Sequence, residues 1–325
     1  LINFQFGRLS FRDRKYRKVI EVFEQVNLRD LDADDKAEYD FKLGYSFFKM
    51  NNLEKAKEHF AMASGSGSKY SSPSAYYLAH LDYASGDYNS ALQRFEALAQ
   101  DPNFKGIAPY YIVQIKYMQG DYQSVINEAP PLIVNATDKR ASELRKVLGE
   151  SYFYTGNYNK ALPYLEQYQK DPGSRPGRND DYVLGYTYYV TGNYADAARF
   201  FQKVTGPQDT IAQYAWYYLA SCYLKDDQKK FAANAFMQAY KLPYDRDVRE
   251  DALFNNAQLA FELSYDPYNE AVRSLRAYLK AYPDSKRNDE AYNFLFKISM
   301  ATRNFKDAQE ALENIQIKGV DYKRN

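Results

Sequence analysis

Side chains able to do chemistry are scarce in this chain. Its 325 residues include two His and one Cys. A nucleophilic cysteine needs a base in register to take its proton. Cys222 lies between Ser221 and Tyr223 on an apolar helical stretch with no such neighbour, and reads as a small buried hydrophobe. His59 stands beside Phe60 and reads as packing or surface, whereas His80 follows the small Ala79 on a face that could meet a ligand. Asp32, Asp34 and Asp35 form an acidic run without the Gly and terminal Glu of a calcium loop. Ahead of Lys36 they read as charges favouring a helix start. A single Cys excludes an intramolecular disulfide and a cysteine zinc cluster. Each Gly-Asn or Gly-Asp pair is turn chemistry and not a phosphate cradle. No catalytic residue, cofactor or metal is therefore expected, and the chain is predicted not to be an enzyme.

Composition narrows the field further. Lys and Arg total 43 against 42 Asp and Glu, a net charge of +1. A chain built to neutralise nucleic-acid phosphates would be strongly basic, so no nucleic-acid partner is expected. No stretch approaches the ~20 apolar residues of a transmembrane helix. Tyrosine is abundant, at 34 residues, with 20 Phe beside it. Rings must therefore fill part of the core.

What positions these rings is a repeat. Leu43-Gly44, Leu78-Ala79, Leu148-Gly149, Leu184-Gly185 and Leu219-Ala220 recur with a turn residue following each: Asn51, Gly86, Gly156, Gly192 and Asp227. A small residue comes next (Ala56, Ala91, Ala161, Ala197), then a large apolar one (Phe60, Phe95, Leu165, Phe201). A degenerate copy holds Val113, Gly120, Tyr122, Val125 and Ala129; further copies hold Gly7, Tyr16, Val19 and Phe23, then Tyr268, Ala271 and Leu275, then Phe305, Ala308 and Leu312. Each copy divides into two runs apolar at i, i+3, i+4 and i+7, the helical period. Gly ends the first helix in the left-handed conformation, Asn or Asp caps the second, and the small residue lets the two approach closely. A two-helix unit cannot bury its apolar face alone, so copies must stack.

The run Trp216, Leu219-Ala220, Tyr223, Ala232, Phe236 and Pro243 resembles the tetratricopeptide repeat pattern, with Ala in place of the usual Gly. The expected fold is all-α: a right-handed α-solenoid of about nine helix–turn–helix repeats forming a single domain over 1–325. The copies span about 1–33, 37–64, 72–102, 106–134, 142–172, 178–206, 213–243, 250–283 and 289–316. Pro130-Pro131 inside a second helix should end that helix early and bend the array there. The stretches 65–68 and 171–178 read as flexible surface loops. Asp266-Pro267 inserts into the turn of the eighth copy. Residue 1 falls inside a repeat and is not Met, so the chain is expected to be a processed or trimmed part of a longer polypeptide.

The resemblance implies that first helices line a concave groove that binds proteins. The offset face of those helices carries Phe41, Tyr45 and Phe48; Tyr76, His80 and Tyr83; Tyr110, Gln114 and Tyr117; Lys146, Glu150 and Phe153; Tyr182, Tyr186 and Tyr189; Tyr217, Ser221 and Leu224. Tyrosine combines large contact area with a hydroxyl and is enriched at interfaces. The same rings are equally suited to filling gaps between helices. Family members that grip chaperone tails use a Lys, Arg and Asn clamp; here Lys146 stands nearly alone, so that adaptor role is not expected. The expected function is a non-catalytic scaffold binding a peptide or protein partner in a tyrosine-rich groove. Carbohydrate recognition, and a regulatory role within a larger protein, are the alternatives. Tyr282-Pro283-Asp284-Ser285, ahead of a helix near Asp289, resembles the inter-repeat junction of bacterial envelope proteins, namely outer-membrane assembly lipoproteins and Tol–Pal-associated coordinators. That likeness implies a place in envelope assembly or transport, periplasmic or outer-membrane-associated, the cytoplasm being the alternative.

Overall fold

The computed structural model describes residues 1–263 and 267–316. The turn at Asp266, the side chains of Pro267 and Tyr268, and the tail from Lys318 to Asn325 lie outside the described residues. Among the described residues there are eighteen α-helices and no strand.

The chain divides into two compact units, Leu1–Thr155 and Gly156–Asn325. The first holds α1 (Ile2–Arg12), α2 (Tyr16–Phe23), α3 (Ala33–Lys49), α4 (Leu53–Ser64), α5 (Ser71–Ser85), α6 (Tyr88–Leu98), α7 (Ala108–Met118), α8 (Tyr122–Asn135) and α9 (Asp138–Tyr154). The second holds α10 (Tyr158–Lys170), α11 (Arg178–Val190), α12 (Tyr194–Val204), α13 (Thr210–Lys225), α14 (Lys229–Lys241), α15 (Arg246–Leu263), α16 (Pro267–Ala281), α17 (Asn288–Ala301) and α18 (Phe305–Asn314). Within each unit every helix packs on the next, and first helices of neighbouring hairpins also touch, as α7 does α9 and α11 does α13.

The turns explain why the helices start and stop where they do. Gly86 and Gly192 sit at φ 83° and 85°, a conformation costly for any residue with a Cβ. The amides of Asp87 and Asn193 then reach back to the carbonyls of Asp82 and Tyr188, both at 2.9 Å. This six-to-one closure satisfies the end of the first helix. The Asp87 and Asn193 side chains accept from the amides of Ser90 and Asp196, each at 3.2 Å, and so start α6 and α12. Asn51, Asp227, Arg14 and Arg303 take the left-handed position where Gly is absent.

Helix pairing depends on the small residue. A Cβ on Gly7 would lie 1.8 Å from Phe23 Cε1, and one on Gly44 2.9 Å from Phe60 Cδ1. Phe23 cannot turn aside, because it stacks between Phe4 and Tyr39 at centroid distances of 5.7 and 4.9 Å. Gly7→Ala should therefore cost about 2 kcal/mol, overpacking of about 1–3 kcal/mol outweighing the helix propensity of up to about 1 kcal/mol that Ala adds. A urea midpoint equal to that of the parent protein would rule this out.

Ionic contacts add local ties. The Arg8 guanidinium of α1 meets Glu38 of α3 at 2.7 and 2.5 Å, and Lys42 adds a contact at 2.5 Å. Burial opposes the Glu38 charge, yet Arg8 and Lys42 together hold its pKa at about 2. Asp32 caps α3 by accepting from the Asp35 amide at 2.7 Å, as a helix-start acid should.

Two expectations need correction. Pro130 and Pro131 do not end α8, which runs on to Asn135. Proline's fixed φ is itself helical, and what it removes is a donor to the carbonyl four residues back. Those carbonyls belong to half-buried Ile126 and exposed Asn127, where water can replace the lost donors. The stretch 171–178 is not free at its end: Arg178 donates to the Val204 carbonyl at 3.0 and 2.7 Å and to Asp209 at 2.8 Å.

Candidate functional site: the aromatic face of the first helices

All twelve candidate contacts lie on first helices: Tyr45 and Phe48 on α3; Tyr76, His80 and Tyr83 on α5; Tyr110 and Tyr117 on α7; Phe153 on α9; Tyr182, Tyr186 and Tyr189 on α11; Tyr217 on α13. Every one is half-buried. Nine of them, all but Tyr117, Phe153 and Tyr182, are gathered into three ring clusters, and the residue at the centre of each is one the offset-face pattern passes over.

Tyr77 of α5 stacks on Phe60 of α4 at 5.0 Å and 10°. Tyr111 of α7 stacks on Phe95 of α6 at 4.6 Å and 8°. Tyr218 of α13 stacks on Phe201 of α12 at 5.7 Å and 21°. All three occupy the same place in the repeat, one residue before the Leu-small pair or its equivalent. Each lays its ring on the large apolar residue of the preceding second helix. The candidates then surround these staples. Tyr45, Phe48 and Tyr76 contact Tyr77. Tyr76, His80, Tyr83 and Tyr110 contact Tyr111. Tyr186, Tyr189 and Tyr217 contact Tyr218. Such ring pairs add about 0.5–1.5 kcal/mol each beyond burial. The signal in the sequence was the doubled tyrosine of Tyr76-Tyr77, Tyr110-Tyr111 and Tyr217-Tyr218.

Hydroxyls divide the candidates further. Tyr117 donates to Glu150 at 2.5 Å and Tyr110 donates to Glu143, tying α7 to α9. In the second unit Tyr214 and Tyr217 donate to Asp245 and Asp251, both at 2.5 Å. Burial, then the facing carboxylate, raises the pKa of Tyr110, Tyr117 and Tyr217, so all three remain donors. Their hydroxyls are therefore latches to the next first helix. Tyr76 shares its hydroxyl with Tyr111 at 3.3 Å.

Two polar atoms on this face are left over. His80 Nδ1 on α5 and Gln114 Nε2 on α7 are buried with no hydrogen-bond partner among the described residues. The two residues hold the same place in successive first helices. The rings of Phe48, Tyr76 and Tyr111 enclose His80, and burial lowers its pKa, keeping the imidazole neutral. His59 by contrast is satisfied, with Nδ1 2.9 Å from Asp40 and its ring stacked on Phe47 at 5.7 Å. Burial pushes the Cys222 thiol up to about 12, which leaves it a packing residue. Among the described residues no group of three or more His, Cys, Asp or Glu is placed to hold a metal ion, and no helix is long and apolar enough to cross a membrane.

Stacked two-helix hairpins closed by the same turn and packed through the same small residue define a helical-hairpin repeat protein. Residues 38–63 and 146–210 match models of the tetratricopeptide repeat family. The chain carries tetratricopeptide repeats, and such repeats support a protein–protein interaction scaffold. A search of curated proteins finds no match. Among solved structures, MamA is 21% identical, covering 51% of this chain and 93% of its own, with a TM-score of 0.40. Naa15/Naa10 bound to HypK-THB is 14% identical, covering 96% of this chain and 49% of its own, with a TM-score of 0.46. A putative kinesin light chain with TPR-like repeats from Podosopora anserina is 19% identical, covering 57% and 98%, with a TM-score of 0.40. At such scores these likenesses add nothing to the reading of the site.

Proposed function

We propose that the chain is a non-catalytic scaffold that holds a protein partner on the aromatic face of its first helices. The observation that carries this is the pair of partnerless polar atoms, His80 Nδ1 and Gln114 Nε2, set among rings on neighbouring hairpins. A buried polar atom without a partner costs about 1–3 kcal/mol, and a guest that supplies the missing bond relieves that cost. A peptide crossing α5 and α7 offers its carbonyls to Gln114 and an amide to His80 while its side chains lie on tyrosine faces. The second unit has its own aromatic first-helix face, with Tyr182, Tyr186 and Tyr189. We place this activity in the bacterial envelope, in the periplasm or at the outer membrane, on the resemblance carried by Tyr282-Pro283-Asp284-Ser285.

The test exploits an opposition between stability and binding. The His80→Leu/Gln114→Leu variant removes two unsatisfied groups and breaks no hydrogen bond among the described residues. Its melting temperature is expected to equal or exceed that of the parent. Recovery of the native partner, compared by quantitative mass spectrometry of pull-downs from the source cells, is expected to fall at least tenfold. Undiminished recovery by a variant of equal stability would move the binding face elsewhere. Recovery of glycans in place of protein would favour carbohydrate recognition.

A further inference from the structure

Four residues before the left-handed turn residue that ends a first helix (Gly192, Asp227 and Arg303 among them), the repeat sets a side chain into the cleft between successive second helices, and on α5 and α7 that side chain is Asp82 and Lys116. That place holds Phe47 on α3, Tyr152 on α9, Tyr188 on α11 and Tyr223 on α13. The tyrosine tips are met by the preceding second helix: Tyr188 donates to Glu166 of α10 at 2.6 Å, and Gln202 of α12 donates to Tyr223 at 2.9 Å. On α17 the same place is Ser299. With no ring there, a cavity of about 280 Å³ opens between α16, α17 and α18, with Ser299 among its lining residues.

The pocket is built for an occupant. Ser299 is 1% exposed, and its Oγ has no hydrogen-bond partner among the described residues. Val272, Leu295 and Ala311 line the walls. Arg276 of α16 occupies the position that Glu166 and Gln202 hold on α10 and α12, where the phenol tip would arrive. It is half-exposed, and its ion pairs to Asp307 and Glu310 are long, at 3.4 and 3.7 Å. The guanidinium therefore keeps donors to spare, since it carries five N–H groups. An apolar cavity of about 150 Å³ already accepts benzene, so this one has room for a single phenol.

We propose that the pocket between α16, α17 and α18 docks a tyrosine side chain from a protein partner, which takes the place that α3, α9, α11 and α13 give to a ring of their own. The site stands apart from the first-helix face, since it opens between the second helices α16 and α18. The ring packs on Val272, Leu295 and Ala311, and the hydroxyl accepts from Arg276.

The probe is p-cresol, the tyrosine side chain as a free molecule, titrated onto the full chain carrying labelled Leu and Val methyls. Saturable shifts confined to Val272, Leu279 and Leu295 are expected, with half-saturation on the order of 1 mM. Toluene, lacking the hydroxyl, is expected to bind roughly tenfold more weakly. Ser299→Tyr restores the ring in place; it should abolish the shifts and raise the melting temperature. Arg276→Met should reduce p-cresol affinity to that of toluene, which keeps the test decisive even if Ser299→Tyr fails to fold. No saturable shift at these methyls by roughly tenfold higher probe overturns the proposal. So does undiminished binding to a folded Ser299→Tyr or to Arg276→Met.

Discussion

Gln213→Leu is expected to destabilise the protein by about 3 kcal/mol. Gln213 is fully buried in α13. Its Nε2 lies 3.2 Å from the Ala239 carbonyl, 2.6 Å from that of Leu242 and 3.2 Å from that of Asp245. Its Oε1 accepts from the Asp245 amide at 2.7 Å. One amide group thus closes the carbonyl end of α14 and fixes the turn into α15. Helix ends leave orphan carbonyls that need such partners. A leucine of similar size fills the space but strands at least one carbonyl and one amide, each costing about 1–3 kcal/mol when buried. Gln213→Glu should fare no better: it keeps an acceptor for the Asp245 amide but turns a carboxylate toward three carbonyls. Denaturant unfolding read alongside amide exchange in α14 and α15 checks this. A loss under about 0.5 kcal/mol for both variants would refute it.

Arg94→Ala is the second large effect, expected at about 2–3 kcal/mol. The place that Phe47, Tyr188 and Tyr223 fill with rings holds Asp82 on α5, and its side chain is 1% exposed. Arg94 Nε of α6 reaches one carboxylate oxygen at 2.9 Å, and Lys57 Nζ of α4 reaches the other at 2.6 Å. Removing one partner of a buried pair costs about 3–5 kcal/mol. The lower figure applies here because Arg94 and Lys57 are 39% and 49% exposed and Lys57 remains. Replacing the whole ionic group by an apolar one is a different matter, and is often neutral or stabilising. Asp82→Phe/Arg94→Ala should therefore recover most of the loss. Equal stability for the parent and Arg94→Ala would show that Lys57 alone satisfies the carboxylate; a double variant weaker than the single would show that the ring does not fit there.

Helix number, order and turns were legible in the sequence because they rest on local rules. The apolar period, the left-handed turn residue and the capping Asn or Asp act within a few residues of one another. The small residues at Gly7 and Gly44 were legible too, since their recurrence needs a reason and close helix approach supplies it. The fate of Pro130 and Pro131 was not, because it turned on the exposure of the carbonyls they deprive. The division at Thr155 and Gly156 likewise leaves no mark in the repeat, which runs through it unchanged.

For the site, the sequence by itself determined that the offset positions of the first helices would be mostly aromatic. Only the tertiary structure decided what each ring does there. Tyr77, Tyr111 and Tyr218 differ from their neighbours by one helical step, about 100° of rotation. That step turns a ring from the open face onto the preceding hairpin. The acids that take the hydroxyls of Tyr110 and Tyr217 lie 33 and 34 residues away, on the next first helix. Neither pairing is visible until the hairpins stack. Nor is the solitude of His80 Nδ1, Gln114 Nε2 and Ser299 Oγ, because an atom's lack of a partner is a property of every element packed around it.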